Sequence, residues 1–140
     1  MSERSRPRMR VTSAVLGCDD PVRLAAFYER LLGWTIVASD PPRPGYPEQD
    51  GWAMLKPPPE HEGLLALAVQ YEPDYVPPVW PPASGEQAMM MHLDIAVDDL
   101  DAALAWSVAA GATLADDQPQ DQVRVLLDPA GHPFCLFPDV

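Results

Sequence analysis

The stretch MHLDIAVDDLDAA, residues 91–103, decides how the rest of the chain is interpreted. Apolar side chains alternate along its first half, at Leu93, Ile95 and Val97. This period of two predicts a strand with its apolar face under a helix, and His92 and Asp94 on the other face, open to a cavity. Asp98 or Asp99 can cap a helix that begins directly afterwards.

The composition is that of one globular domain. The chain has 140 residues, of which 47% are hydrophobic, and this is enough for a single core. We expect a domain over residues 10–140 and a disordered basic tail over residues 1–9. The tail and its border hold a cluster of arginines: Arg4, Arg6, Arg8 and Arg10.

Charge and hydropathy exclude several classes of protein. The net charge of −12 argues against nucleic-acid binding, because no basic face could outweigh it. No apolar run approaches the roughly 20 residues that cross a bilayer, and the first residues lack the apolar segment of a secretory signal. Cys18 and Cys135 form no CxxC pair, so we expect reduced thiols and a cytoplasmic protein without membrane or nucleic-acid partners.

A strand–helix unit occurs twice in the chain. Asp20 and Asp99 each follow a strand pattern and open a helix, and Gly33 and Gly111 each close it. Three further strands follow in each half, which gives two modules over about 10–71 and 88–138. A lone module would leave one sheet face bare, so the two halves are expected to share one sheet; a ferredoxin-like sandwich is the alternative.

Proline and turn residues mark the irregular segments. Many of the eighteen prolines crowd into residues 41–59 and 73–82, which predicts two loops. The run DPAGHP at 128–133 predicts a tight turn before the last strand. His61 and His132 fall in turns and are expected to be solvated.

Three segments together carry a family resemblance: FYERLLGW at 27–34, HLDIAVDDL at 92–100 and DPAGHPF at 128–134. With them the chain resembles the vicinal oxygen chelate superfamily of glyoxalases, bleomycin resistance proteins and extradiol dioxygenases, in a glyoxalase-like subgroup. The resemblance implies an α+β fold of two βαβββ modules that form a curved mixed-sheet cup, with the helices on the convex side. It also implies a homodimer.

The resemblance also implies four positions that hold a divalent ion in metal-dependent members. On this chain they are Ser13, Gln70, His92 and Cys135. Only His92 is a usual ligand, and both carboxylates that would hold a hard cation are missing. We therefore expect no cofactor and no standard metal centre. The alternative is a divalent metal held by Gln70, His92 and Cys135.

Three functional hypotheses remain open. The first is a protein that binds a small organic molecule in the cup, through Ser13, Gln70, His92, Asp94, Cys135, Trp52 and Trp80. The second is a metal-dependent lyase, isomerase or dioxygenase with a degenerate ligand set. The third is a metal-free enzyme in which His92 and Asp94 are the catalytic acid–base pair.

Each candidate residue also has a plain structural interpretation. Asp94 could have a purely structural role, paired with Arg124 or another cup residue, since an inward carboxylate needs a partner. Trp80 could stack on a ligand with Trp52 and Tyr46, or could only pin its proline-rich loop to the body.

Overall fold

The computed structural model describes residues 5–61 and 63–139. The first half contains β1 (Ser13–Cys18), α1 (Pro21–Leu32), β2 (Thr35–Asp40), β3 (Trp52–Lys56), a 3-10 turn (Pro59–His61) and β4 (Ala66–Tyr71). The second half contains β5 (Leu93–Val97), α2 (Leu100–Ala110), β6 (Thr113–Leu114), β7 (Arg124–Leu127) and β8 (Pro133–Pro138). Both halves run strand, helix and three strands, as the sequence predicts.

Each half builds its own curved, four-stranded mixed sheet, so the described residues form two sheets where one shared sheet was expected. The strand orders are β1-β4-β3-β2 and β5-β8-β7-β6. The pairs β1/β4 and β5/β8 are parallel, and the remaining neighbours are antiparallel. The α+β class and the two βαβββ modules are confirmed.

The predicted caps position both helices. The Asp20 carboxylate accepts a hydrogen bond from the Arg23 amide at 3.1 Å, and the Asp99 carboxylate accepts one from Ala102 at 3.0 Å. Gly33 ends α1 in the left-handed region, with φ of 69°. The helices cover one side of each sheet: α1 contacts β2, β3 and β4, and α2 contacts β8.

One hydrophobic core lies between the two modules. The helix-facing sides of both sheets contribute to it, through Leu16, Leu55, Val69, Leu126, Phe134 and Leu136. Phe27 of α1 links them, since its ring centroid lies 6.1 Å from that of Phe134. Leu93, Ile95 and Val97 pack against this core as predicted. Each sheet thus turns its helix-facing side to this core and leaves its other face open.

A buried carboxylate ties the modules together. Asp128, in the turn before β8, accepts a 2.7 Å hydrogen bond from the Tyr28 hydroxyl of α1. It also accepts bonds from the amides of Ala130 and His132, each at 2.9 Å. Burial and the Asp128 charge raise the pKa of Tyr28 well above its ordinary value. Tyr28 therefore keeps its proton and remains a donor.

The prediction that His132 is solvated is wrong. Its side chain is almost fully buried, and Nδ1 lies 2.8 Å from Asp128 Oδ2 while Nε2 lies 3.2 Å from the Tyr75 oxygen. The Tyr75 hydroxyl donates to the Ala130 carbonyl at 2.8 Å. Tyr75 belongs to the inter-module linker, so this turn holds the linker as well as α1. His61 is exposed, as expected.

The segments outside the modules have little regular structure. Residues 5–12 are exposed and form neither helix nor strand, while Arg4 lies outside the described residues; disorder of the tail stays a prediction. The loops at 41–51 and 72–92 also lack helix and strand, in agreement with their prolines. Within the described ranges, no helix has the length and apolar character needed to cross a membrane.

The Tyr28–Asp128 bond gives a stability prediction. Tyr28→Phe removes one donor from a buried carboxylate, so the free energy of unfolding in urea should fall by about 1.5–3 kcal/mol. The matched control is Tyr46→Phe, because the Tyr46 side chain is half exposed and lies outside this network. Equal effects of the two substitutions would contradict a junction centred on Asp128.

Candidate functional site

Three predicted site residues meet on the open face of the second sheet. Asp94 of β5 pairs in register with Cys135 of β8, and His92 stands two residues before Asp94 on the same face. His92 Nε2 lies 3.0 Å from Asp94 Oδ1. One potential ligand atom from each of the three residues lies within 4.8 Å of the others. Adjacent parallel strands thus bring His92, Asp94 and Cys135 together as a triad.

The triad is accessible to a ligand. The side chains of His92 and Asp94 are 37% and 60% exposed, and Cys135 is half-buried. Burial, and to a smaller extent the charge of Asp94, raises the pKa of the Cys135 thiol. Cys135 is therefore poorly suited to act as a free thiolate nucleophile.

Asp94 does not pair with Arg124. The Arg124 guanidinium donates to the carbonyls of Asp121 and Val123 instead, at 2.9 and 3.0 Å. β7 is separated from β5 by β8, so the expected partner belongs to a more distant strand. The carboxylate of Asp94 instead contacts the imidazole of His92, its neighbour on the same strand face.

The other predicted residues lie on the open face of the first sheet. Gln70 of β4 pairs with Trp52 of β3, while Ser13 of β1 is opposite Ala66. Trp52 and Gln70 line a cavity of about 610 Å³, next to the loop that follows β2. This volume is in the range of small-molecule sites.

An ion pair shapes the wall of this cavity. The Arg43 guanidinium donates to both carboxylate oxygens of Asp50, at 2.8 and 3.0 Å, and the Arg43 amide donates at 2.8 Å. These bonds lower the pKa of Asp50 to about 2. Arg43 also stacks over the Tyr46 ring at 3.8 Å, so Tyr46 braces the wall. The proline-rich loop is thereby fixed beside Trp52.

Trp80 is engaged away from these residues. Its indole N–H donates to the Asp117 carbonyl at 3.1 Å, which attaches the linker to the loop between β6 and β7. This contact agrees with the structural interpretation of Trp80. Its role at the mouth of a cup stays a prediction.

The predicted site is thus divided between two surfaces. Ser13, Gln70 and Trp52 belong to the first sheet, and the triad of His92, Asp94 and Cys135 belongs to the second. Both sheets turn their other side to the shared core, so the two sets lie on the core-distal faces of two different sheets. The alternation of side chains along each strand predicts which residues share a face. It does not predict how the two modules are arranged relative to each other.

The donor sets do not fit a standard metal centre of the superfamily. Mg²⁺ and Mn²⁺ prefer several oxygen donors, including carboxylates. The first sheet offers only a hydroxyl and an amide at these positions, Ser13 and Gln70. The second offers an imidazole, a carboxylate and a thiol. A hard cation would find one anionic oxygen ligand among these residues.

Sequence reasoning missed the buried cluster of Tyr28, Asp128, His132 and Tyr75. The signal for it was a turn that begins with Asp and carries a His four residues later. An Asp in that position can accept hydrogen bonds from the amides of its own turn. The partner from α1 is 100 residues away in the chain, which no local pattern indicates.

Solved structures with this fold include proteins with different printed roles. A glyoxalase/bleomycin resistance protein/dioxygenase family enzyme from Burkholderia phytofirmans PsJN is 16% identical, with a TM-score of 0.62, 94% of this chain covered and 100% of that one. TnmS3, an antibiotic binding protein from Streptomyces sp. CB03234, is 16% identical, with a TM-score of 0.56 and coverages of 97% and 100%. The fosfomycin resistance protein FosX from Listeria monocytogenes, solved with Mn(II), is 11% identical, with a TM-score of 0.64 and coverages of 94% and 93%.

No curated protein sequence matches the chain. The glyoxalase-like domain family model, by contrast, matches residues 13–137, from the first residue of β1 to the last strand. The matched range spans both modules and contains every predicted site residue. The chain therefore belongs to the glyoxalase-like domain family.

Proposed function

We propose that this protein binds a small organic molecule in a cup formed between two copies of the chain, without a standard metal centre. The observation that carries the proposal is the division of the predicted site residues between the open faces of two different sheets. Each face presents polar and aromatic side chains that a cavity could use, and each is open on one side. A cytoplasmic location, consistent with two unpaired thiols, is part of the same proposal.

A second copy can supply the missing half of each cup. The first-sheet face of one chain would lie opposite the second-sheet face of its partner, and a two-fold axis would create two equal cups. The strands β1 and β5 also leave sheet edges that a partner could cover. In this arrangement Gln70 and Trp52 of one chain would face His92, Asp94 and Cys135 of the other.

Charge narrows the ligand class. The net charge of the chain is −12. Within the triad, the carboxylate side chain of Asp94 is more exposed than the side chain of His92. On the first sheet, Arg43 is neutralised by Asp50. Such a lining favours neutral or cationic aromatic ligands over anions. Trp52 supplies the flat apolar surface on which a planar ligand would stack.

The comparisons support binding of small molecules without fixing the chemistry. TnmS3 is described as an antibiotic binding protein, and FosX as a fosfomycin resistance protein. Both share the fold with this chain at low sequence identity. A binding protein that sequesters a toxic or signalling compound is therefore the function we favour.

The His92–Asp94 pair supports a second candidate, a metal-free acid–base enzyme. The 3.0 Å contact lets Asp94 orient the imidazole. A reaction that needs a proton moved at a bound ligand could use this pair. The high exposure of both side chains in one chain favours binding as the first choice.

Ligand binding can be measured through tryptophan fluorescence. Titration with a planar cationic dye such as acridine orange should quench Trp52, which lines the cavity beside Gln70. The double variant His92→Ala/Asp94→Ala should weaken binding by at least about tenfold, since it removes the carboxylate that faces the cation. The titrations should contain EDTA, so that no metal contributes.

Two controls assign the signal. Trp52→Phe should abolish most of the fluorescence change, while Trp106→Phe should keep it, because Trp106 lies on α2 and donates to the Leu31 carbonyl. His61→Ala/Asp98→Ala removes the same two residue types from exposed positions outside the triad. If the triad substitutions left the dye affinity unchanged, the cup would not be the dye-binding site.

The oligomeric state gives a direct prediction. At micromolar concentration the protein should sediment as a single species of twice the 15.3 kDa chain mass. Cups that need both faces cannot form otherwise. A homogeneous 15.3 kDa species that still binds the dye would contradict the proposed assembly.

Hard divalent ions should have no stabilising effect. Mg²⁺ or Mn²⁺ in excess is expected to leave the melting temperature unchanged, because Ser13 and Cys135 occupy positions where the superfamily places stronger oxygen or nitrogen donors. A saturable rise in melting temperature that disappears in His92→Ala would show that the standard centre is present.

A further inference from the structure

The triad contains three kinds of metal-binding donor on one rigid surface. Asp94 and Cys135 are opposite each other on the paired strands β5 and β8, and His92 precedes β5 by one residue. The possible ligand atoms already lie within 4.8 Å of one another. Side-chain rotation alone could bring them onto one ion, since the backbone register fixes their spacing.

The donor types select the ion. An imidazole, a thiolate and one carboxylate form a mixed nitrogen, sulfur and oxygen set, which suits Zn²⁺ far better than Mg²⁺ or Mn²⁺. Three protein ligands leave a fourth tetrahedral position free for water or a ligand. The partial exposure of all three residues keeps that position accessible from the open face.

We propose that His92, Asp94 and Cys135 bind one Zn²⁺ ion on the open face of the second sheet. The inference deepens the proposed function, because the ion would lie on the floor of the same half-cup. It differs from the four-position set implied by the family in two respects. Asp94 replaces a missing carboxylate from its own strand, and neither Ser13 nor Gln70 is required.

Asp94 is the residue on which this assignment depends most. Without it, the second sheet offers only His92 and Cys135, and two ligands rarely hold Zn²⁺ in water. Its carboxylate is already beside the imidazole, at 3.0 Å, and has no arginine or lysine partner among the described residues. A cation placed among these side chains would also be attracted by the exposed Asp94 carboxylate.

Cobalt spectroscopy tests the site without any assay of activity. Reduced, chelator-treated protein should take up one Co²⁺ per chain and develop a sulfur-to-cobalt charge-transfer band in the near ultraviolet. Zn²⁺ should displace the Co²⁺ and abolish the band, whereas excess Mg²⁺ should not. Cys135→Ser should remove the band, because it exchanges only the sulfur for oxygen.

Matched variants separate ligands from bystanders. Asp94→Asn and His92→Gln should each weaken Zn²⁺ binding, measured by competition with a fluorescent chelator, by at least about tenfold, since even residues that only support metal ligands cost that much. Asp98→Asn and His61→Gln should have no effect. Cys18→Ala should keep the band, because the Cys18 thiol is fully buried, with its pKa raised to about 12.

The outcomes distinguish this inference from the proposed function. A folded protein, judged by circular dichroism, that takes up no Zn²⁺, or one whose Zn²⁺ affinity ignores Cys135→Ser and Asp94→Asn, would overturn the zinc site. Dye binding in EDTA would then still support the proposed cup. Zinc binding with the predicted variant pattern but no dye response would support the site and reject the cationic-aromatic ligand.

Discussion

The hydrogen bonds accepted by Asp128 are the constraint on which the arrangement of the molecule depends. Its carboxylate binds the Tyr28 hydroxyl from the first module and the amides and imidazole of its own turn in the second. The same turn holds the linker through Tyr75. Loss of any of these donors leaves the buried carboxylate partly unsatisfied, which costs free energy. The two modules are therefore locked with their helix-covered sides facing one core.

This lock determines what the surfaces can do. Because the helix-covered side of each sheet is buried in the core, only its open face can contact a ligand. The first sheet presents Gln70 and Trp52, and the second presents the triad of His92, Asp94 and Cys135. Polar residues stay exposed on strands that a single chain cannot cover. Both the proposed shared cup and the proposed zinc ion use these exposed half-sites.

The sequence predicts the local structure well because its signals are local. The alternation of side chains along the strands predicts the faces on which His92, Asp94 and Gln70 lie. The capping Asp and Gly residues predict where both helices begin and end. Relations between distant segments leave no such signal. The Tyr28–Asp128 bond joins residues that are 100 positions apart in the chain. His132, expected to be solvated, is buried in contact with Tyr75, which is 57 positions away. For the same reason, the alternation of residues along single strands could not show that Ser13 and Gln70 belong to a different sheet from His92.

The central claim, that each cup is shared by two chains, can be tested with mixed dimers. Gln70→Ala and His92→Ala chains carrying different tags would be co-expressed, and the heterodimer isolated by both tags and titrated with acridine orange. Shared cups place both substitutions in one site and leave the other intact, so one site per heterodimer should bind with wild-type affinity. Cups built within single chains would instead give two weakened sites, which would contradict the account.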